Sequence, residues 1–106
     1  MEKTEQLLQI VGDEVVVIAW WDDPNDNMIN IQDFIKDGES YIPVFTSTEI
    51  AKQQTAGSEY TDQLVEIKTG FFVSLLKGTE TLVFNPDEKF TLKFSAEEFT
   101  ELIEAK

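Results

Sequence analysis

The sequence predicts an α/β fold: a single small domain over residues 1–106, with a mixed β-sheet, one hairpin, and helices packed on the sheet. Three observations point there. The run "EVVVIAWW" (14–21) is β-branched, aromatic and continuously apolar, as strands covered on both faces are. Asp37-Gly38 stands between two strand-like stretches, and this pair tolerates the positive φ angles of a tight hairpin. Two hydroxyl–x–x–Glu signals, at Thr46/Glu49 and Ser95/Glu98, open helical patterns with reciprocal backbone bonds.

From the N-terminus, Leu7, Leu8, Ile10 and Val11 have helical spacing, with Thr4 as N-cap and Gly12 as stop. The buried strand of 14–21 follows and ends in "DDPNDN", where every residue favours a turn. "MINIQDFI" fits either a helix or an extended chain, and the Asp37-Gly38 turn behind it decides for extended. "YIPVF" is then the return arm of the hairpin. Pro43 cannot donate to a ladder, which places this strand at a sheet edge or a bulge. Thr46 is read as the cap of a helix that reaches about Ala56 and frays at Gly57-Ser58.

"QLVEIKT" alternates Val65, Ile67 and Thr69 against Leu64, Glu66 and Lys68, a strand signature. Gly70 opens a short apolar helix stopped by Gly78, and "TLVF" is a buried strand ended by Asn85-Pro86-Asp87. The strand–helix–strand unit over 64–84 favours parallel pairing through a crossover. "FTLKF" turns Phe90, Leu92 and Phe94 inward, and Phe99, Leu102 and Ile103 form one face of the last helix.

Composition excludes several functions. There is no Cys and no His, so disulfide scaffolds, thiolate zinc sites, catalytic cysteines and histidine bases are ruled out. The chain carries 21 acidic and 8 basic residues, a net charge of −13, and every basic residue is lysine. Without arginine forks or a basic patch, nucleic-acid binding is not expected, because affinity there comes mainly from neutralising phosphates. No apolar run approaches a membrane span and the N-terminus does not resemble a signal peptide, so a cytoplasmic protein is expected. Residues 1–40 hold ten acids and two lysines; this is read as a solvated face, with a basic partner as the alternative.

Three places invite a chemical reading. Thr46, Ser47 and Thr48 sit at a helix start, where anions are favoured, but Glu49 already supplies a negative charge and no glycine-rich loop accompanies them. Asp23, Asn25 and Asn27 alternate like the first ligands of a calcium loop, yet Met28 stands where glycine is needed and Phe34 where the bidentate glutamate belongs. Trp20 and Trp21 point to opposite strand faces, so one enters the core and the other is covered or partly exposed. No nucleophile–base spacing is present, and no enzyme activity, metal or cofactor is expected.

"YIPVFTSTEIAK" followed by "LVFNPDEKF" resembles the N-terminal domain of SseB-type (enhanced serine sensitivity) bacterial proteins. The residues that carry the likeness are Pro43, Phe45, Thr46 and Ser47; Val65, Ile67, Phe72 and Leu75; then Val83, Asn85 and Pro86. The resemblance implies a small α/β domain with no catalytic residue, cofactor or substrate to carry over. Longer members have a second, C-terminal domain that residues 1–106 do not include. The expected activity is protein–protein contact, with Trp21, Asp22, Asp23, Pro43, Asn85 and Pro86 as candidate contact residues and self-association through the Pro43 edge as one route. The alternative is an acidic inhibitor or immunity-like protein that masks a basic partner surface.

Overall fold

Val15 to Ala19 are all buried, and alternate members of the run enter two different apolar clusters. This strand is therefore sandwiched, as its unbroken hydrophobicity requires. A computed structural model describes residues 3–20 (without the side chains of Lys3, Thr4, Gln6 and Ile10), 29–86 and 92–105. Its elements in order are α1 (Lys3–Ile10), β1 (Glu14–Trp20), β2 (Asn30–Ile31), β3 (Phe34–Lys36), β4 (Glu39–Phe45), α2 (Thr48–Thr55), a 3-10 turn (Glu59–Gln63), β5 (Leu64–Lys68), α3 (Thr69–Leu75), β6 (Thr81–Phe84), β7 (Leu92–Ser95) and α4 (Ala96–Glu104). The first helix already contains Thr4, so Thr4 does not cap it.

The register sets the sheet order. Val17 stands opposite both Val44 and Val65, Val44 opposite both Val17 and Phe84, and Leu82 opposite both Ile42 and Phe94. The main sheet thus runs β5–β1–β4–β6–β7. Among the described strands only β4 and β6 are parallel, so the sheet is mixed. The expected hairpin is β3–β4, closing at Lys36–Glu39 with Asp37 at φ 54° and Gly38 at φ 81°, the two positive angles of a type I′ turn. The unit over 64–84 does not pair its own strands, however. β1 and β4 lie between β5 and β6, and the parallel partner of β6 is β4 instead.

Pro43 is the clearest departure from expectation. Its strand is interior, flanked by β1 and β6, and its side chain is less than 2% exposed. The ladder explains how proline is tolerated. Asn85 N–H donates to the Val44 carbonyl at 2.8 Å, so Val44 bonds towards β6 and its neighbour Pro43 turns its nitrogen towards β1. The register places Ile18 opposite Pro43, where the missing N–H would leave the Ile18 carbonyl without a donor. Gln32 N–H takes that carbonyl at 2.8 Å. The β1–β4 ladder therefore ends at Phe45 and Val44, and β2 and β3 fill the opening. A proline inside the sheet stands where two strands part, and the Pro43 edge expected for self-association does not exist.

Helices α1, α3 and α4 cover one face of the sheet. Leu7, Phe72 and Phe99 there meet Val15, Val17, Val44, Leu82, Phe84 and Phe94. Ring centroids 5.2 Å apart for Phe84–Phe99 and 5.9 Å for Phe84–Phe94 make an aromatic centre, and each fully buried ring of this kind contributes about 1.5–3 kcal/mol. On the second face, α2 and the 3-10 turn cover Val16, Ile18 and Phe45 through Ala51 and Tyr60. That cover stops short of β6 and β7. Trp20, on the same strand as Val16 and Ile18, is 39% exposed.

Candidate protein-contact site

The three described residues singled out as contacts converge at the carboxyl ends of the parallel pair β4–β6, but they do different things. Asn85 follows β6 directly and is 6% exposed with φ 51°, a left-handed angle that asparagine accepts more readily than most residues. Its Oδ1 accepts from Thr46 N–H at 3.1 Å and its Nδ2 donates to Thr46 Oγ1 at 3.0 Å. With its own N–H on Val44, Asn85 closes three bonds onto the end of β4. It is a clamp, with its side chain aimed inward.

This clamp corrects the reading of the helix start. Ser47, with extended backbone (φ −150°), is the N-cap of α2, and its Oγ accepts from Ile50 N–H at 3.2 Å. Thr46 is one residue too early and is held by Asn85. Two adjacent hydroxyls were available to cap, and a contact 39 residues away decided between them. Glu49 is consequently not the third residue of a capping box here, whereas Ser95 and Glu98 form theirs as expected, at 3.1 and 3.0 Å.

Pro86 is next to the clamp and lines a groove of about 310 Å³ on the uncovered part of the second sheet face. Alternation puts Tyr41 of β4, Thr81 and Val83 of β6 and Lys93 of β7 on this face, because Ile42, Leu82, Phe84, Leu92 and Phe94 point into the opposite core. The β3–β4 hairpin forms the far wall with Lys36, Asp37 and Glu39. Phe34 holds the hairpin down, with ring centroids 6.0 Å from Tyr41 and 5.2 Å from Tyr60. Lys93 Nζ reaches Glu39 Oε2 at 3.3 Å across the groove, but both side chains are well exposed, so the pair contributes little to stability. Sequence reasoning missed Tyr41, Val83 and Lys93. Their signal was the plain alternation of two short strands, which marks a face without saying whether a helix covers it.

Trp21, Asp22 and Asp23, with the Asp23/Asn25/Asn27 pattern, lie outside the described residues, as do Asp87 and Phe90. Among the described residues no three carboxylates are grouped to hold a metal ion. Two carboxyls with displaced titration, Glu14 and Glu80, are used in internal contacts. Hydrogen bonding with Glu66 first, then with Lys68, together with the Lys68 charge, holds Glu14 below its ordinary value at the exposed end of β1. For Glu80, partial burial pushes upward, but backbone N–H donors of Lys77, Glu80, Gly78 and Thr79 outweigh it and hold the carboxyl low. Its oxygens accept from Lys77, Gly78 and Thr79 at 2.8–3.1 Å, a small nest of amides around one anion.

A family model described as "SseB protein N-terminal domain" matches residues 2–101. The chain belongs to that family. The fold gives the motif residues of this SseB-family domain a physical meaning, since "PVFTS" and "NP" are the two halves of the Thr46–Asn85 clamp. Neither the curated proteins nor the solved structures compared with the chain gave a match. No helix among the described residues is long and apolar enough to cross a membrane.

Proposed function

We propose that this SseB-family domain is a non-enzymatic, cytoplasmic protein-contact module whose docking surface is the groove between the β3–β4 hairpin and strands β6–β7. The observation that carries this reading is the half-covered sheet. On one side of β4 the second face lies under α2, while on the other Tyr41, Val83 and Pro86 remain an accessible apolar floor. Apolar floors with mixed-charge rims suit protein contact, and Lys36 and Lys93 opposite Asp37 and Glu39 supply such a rim. The clamp supports the same reading, because it holds Pro86 rigidly at the groove without using the Asn85 side chain for any external ligand.

The test is affinity capture from the native lysate with the parent chain and with Tyr41→Ala/Lys93→Glu. Both substituted side chains are at least partly exposed, and circular dichroism checks that the fold is retained. The reading expects one or more proteins held by the parent and lost with the variant. Identical captured sets, with both proteins folded, would sink it.

A further inference from the structure

A second surface stands apart from that groove. Helices α3 and α4 pack side by side, and along their outer seam runs a shallow groove of about 490 Å³ with Val73, Leu76 and Thr100 on its floor. Glu97, Glu101 and Glu104 line its α4 wall, spaced four and then three residues apart, hence on one stripe of the helix. Lys77 on the α3 side is the only cation among the lining residues.

The local helix explains only part of this acidity. Glu98 is the capping-box partner of Ser95, and Glu97 sits in the first turn, where the helix dipole favours an anion. Glu101 has no such account, and Glu104 is in the last turn, where the dipole opposes it. Neighbouring like charges three and four residues apart also repel within the helix. No ion pair among the described residues relieves the stripe, and α4 contains no basic residue. Glu101 and Glu104 thus work against their own helix, and the partly buried Val73 and Leu76 lie beside them.

We propose that the α3–α4 seam docks a basic amphipathic helix of a partner protein. Its apolar stripe would rest on Val73 and Leu76, and its lysines or arginines would meet Glu97, Glu101 and Glu104. A helix is the fitting occupant because cations at matching four- and three-residue spacings form a complementary stripe, and a seam between two helices accepts a third by ridge-in-groove packing.

The probe is a fluorescein-labelled 18-residue peptide with leucines on one helical face and lysines on the other, compared with a scrambled peptide of the same composition that has no apolar face. Two variants lower the charge equally: Glu97→Gln/Glu101→Gln/Glu104→Gln at the seam, and Glu49→Gln/Glu59→Gln/Asp62→Asn on exposed positions of α2 and the 3-10 turn. Anisotropy is expected to show the amphipathic peptide losing at least tenfold in affinity with the seam variant and less than threefold with the control. The scrambled peptide should bind the parent at least tenfold more weakly. Thermal melting of the seam variant should stay at the parent temperature, because relief of the Glu101 and Glu104 repulsion offsets the favourable first-turn charge lost at Glu97. Equal losses with both variants, equal binding of the scrambled peptide, no binding by the parent, or a lowered melting temperature of the seam variant would each overturn the proposal.

Discussion

Replacing Asn85 with alanine tests the clamp at the centre of the fold. The substitution removes two side-chain hydrogen bonds, to Thr46 N–H and Thr46 Oγ1, in a part-buried setting. These contribute about 1 kcal/mol each, and the Thr46 donor is left without its partner. Alanine must also adopt φ 51°, which costs about 1 kcal/mol more for a residue with Cβ and no local polar compensation. The expected loss is about 3 kcal/mol, equivalent to a drop of roughly 10–20 °C in melting temperature for a domain near 100 residues. Asn85→Gly recovers the backbone part and should lose about 2 kcal/mol. Asn85→Asp keeps an acceptor for Thr46 N–H and should lose the least. Chemical denaturation followed by circular dichroism gives the three values. A cycle with Thr46→Val should show that the two losses do not add, with a coupling of at least about 0.5 kcal/mol. An alanine variant melting within about 2 °C of the parent, or fully additive losses, would refute the clamp.

Other positions give sharp expectations. Pro43→Ala reintroduces an N–H opposite Ile18, whose carbonyl Gln32 already occupies; unlike most proline removals from strands, it should destabilise, by about 1–2 kcal/mol in urea unfolding. Gly38→Ala forces a Cβ onto φ 81° at the hairpin turn and should lose about 1 kcal/mol by thermal melting, although the added carbon meets no atom within 4 Å. Glu80→Ala removes a carboxylate from four amide contacts, but partial exposure limits the loss to about 1 kcal/mol near neutral pH. The Glu80 carboxyl is held below its ordinary value of 4.5, so its contribution is complete above that value and fades as pH falls through the lower folded-state value. Melting curves of parent and variant should therefore converge in acid.

Much of this architecture was legible in the sequence, where local chemistry determines local structure. Asp37-Gly38 marked its turn, Ser95 and Glu98 marked their helix, and the unbroken apolar run of β1 marked a strand covered twice. What could not be read were features settled by residues far away along the chain. Thr46 and Ser47 are both competent caps, and only Asn85 distinguishes them. Pro43 reads as an edge residue by the rule that proline lacks a donor. In the folded chain Gln32, eleven positions earlier, answers the carbonyl that rule leaves open. The groove was hidden for a related reason: alternation shows that Tyr41, Val83 and Lys93 share a face, but not that α2 ends its cover before reaching them.

The most direct test of the protein-contact reading is site-specific photo-crosslinking in the native cell, with a photoreactive residue placed at Val83 in the groove floor and, separately, at Asp62 on the far side of the helical cover. The account predicts a discrete protein adduct from position 83 that is absent from position 62. Adducts from position 62 alone, or none from position 83 while the crosslinker-bearing protein remains folded, would contradict it.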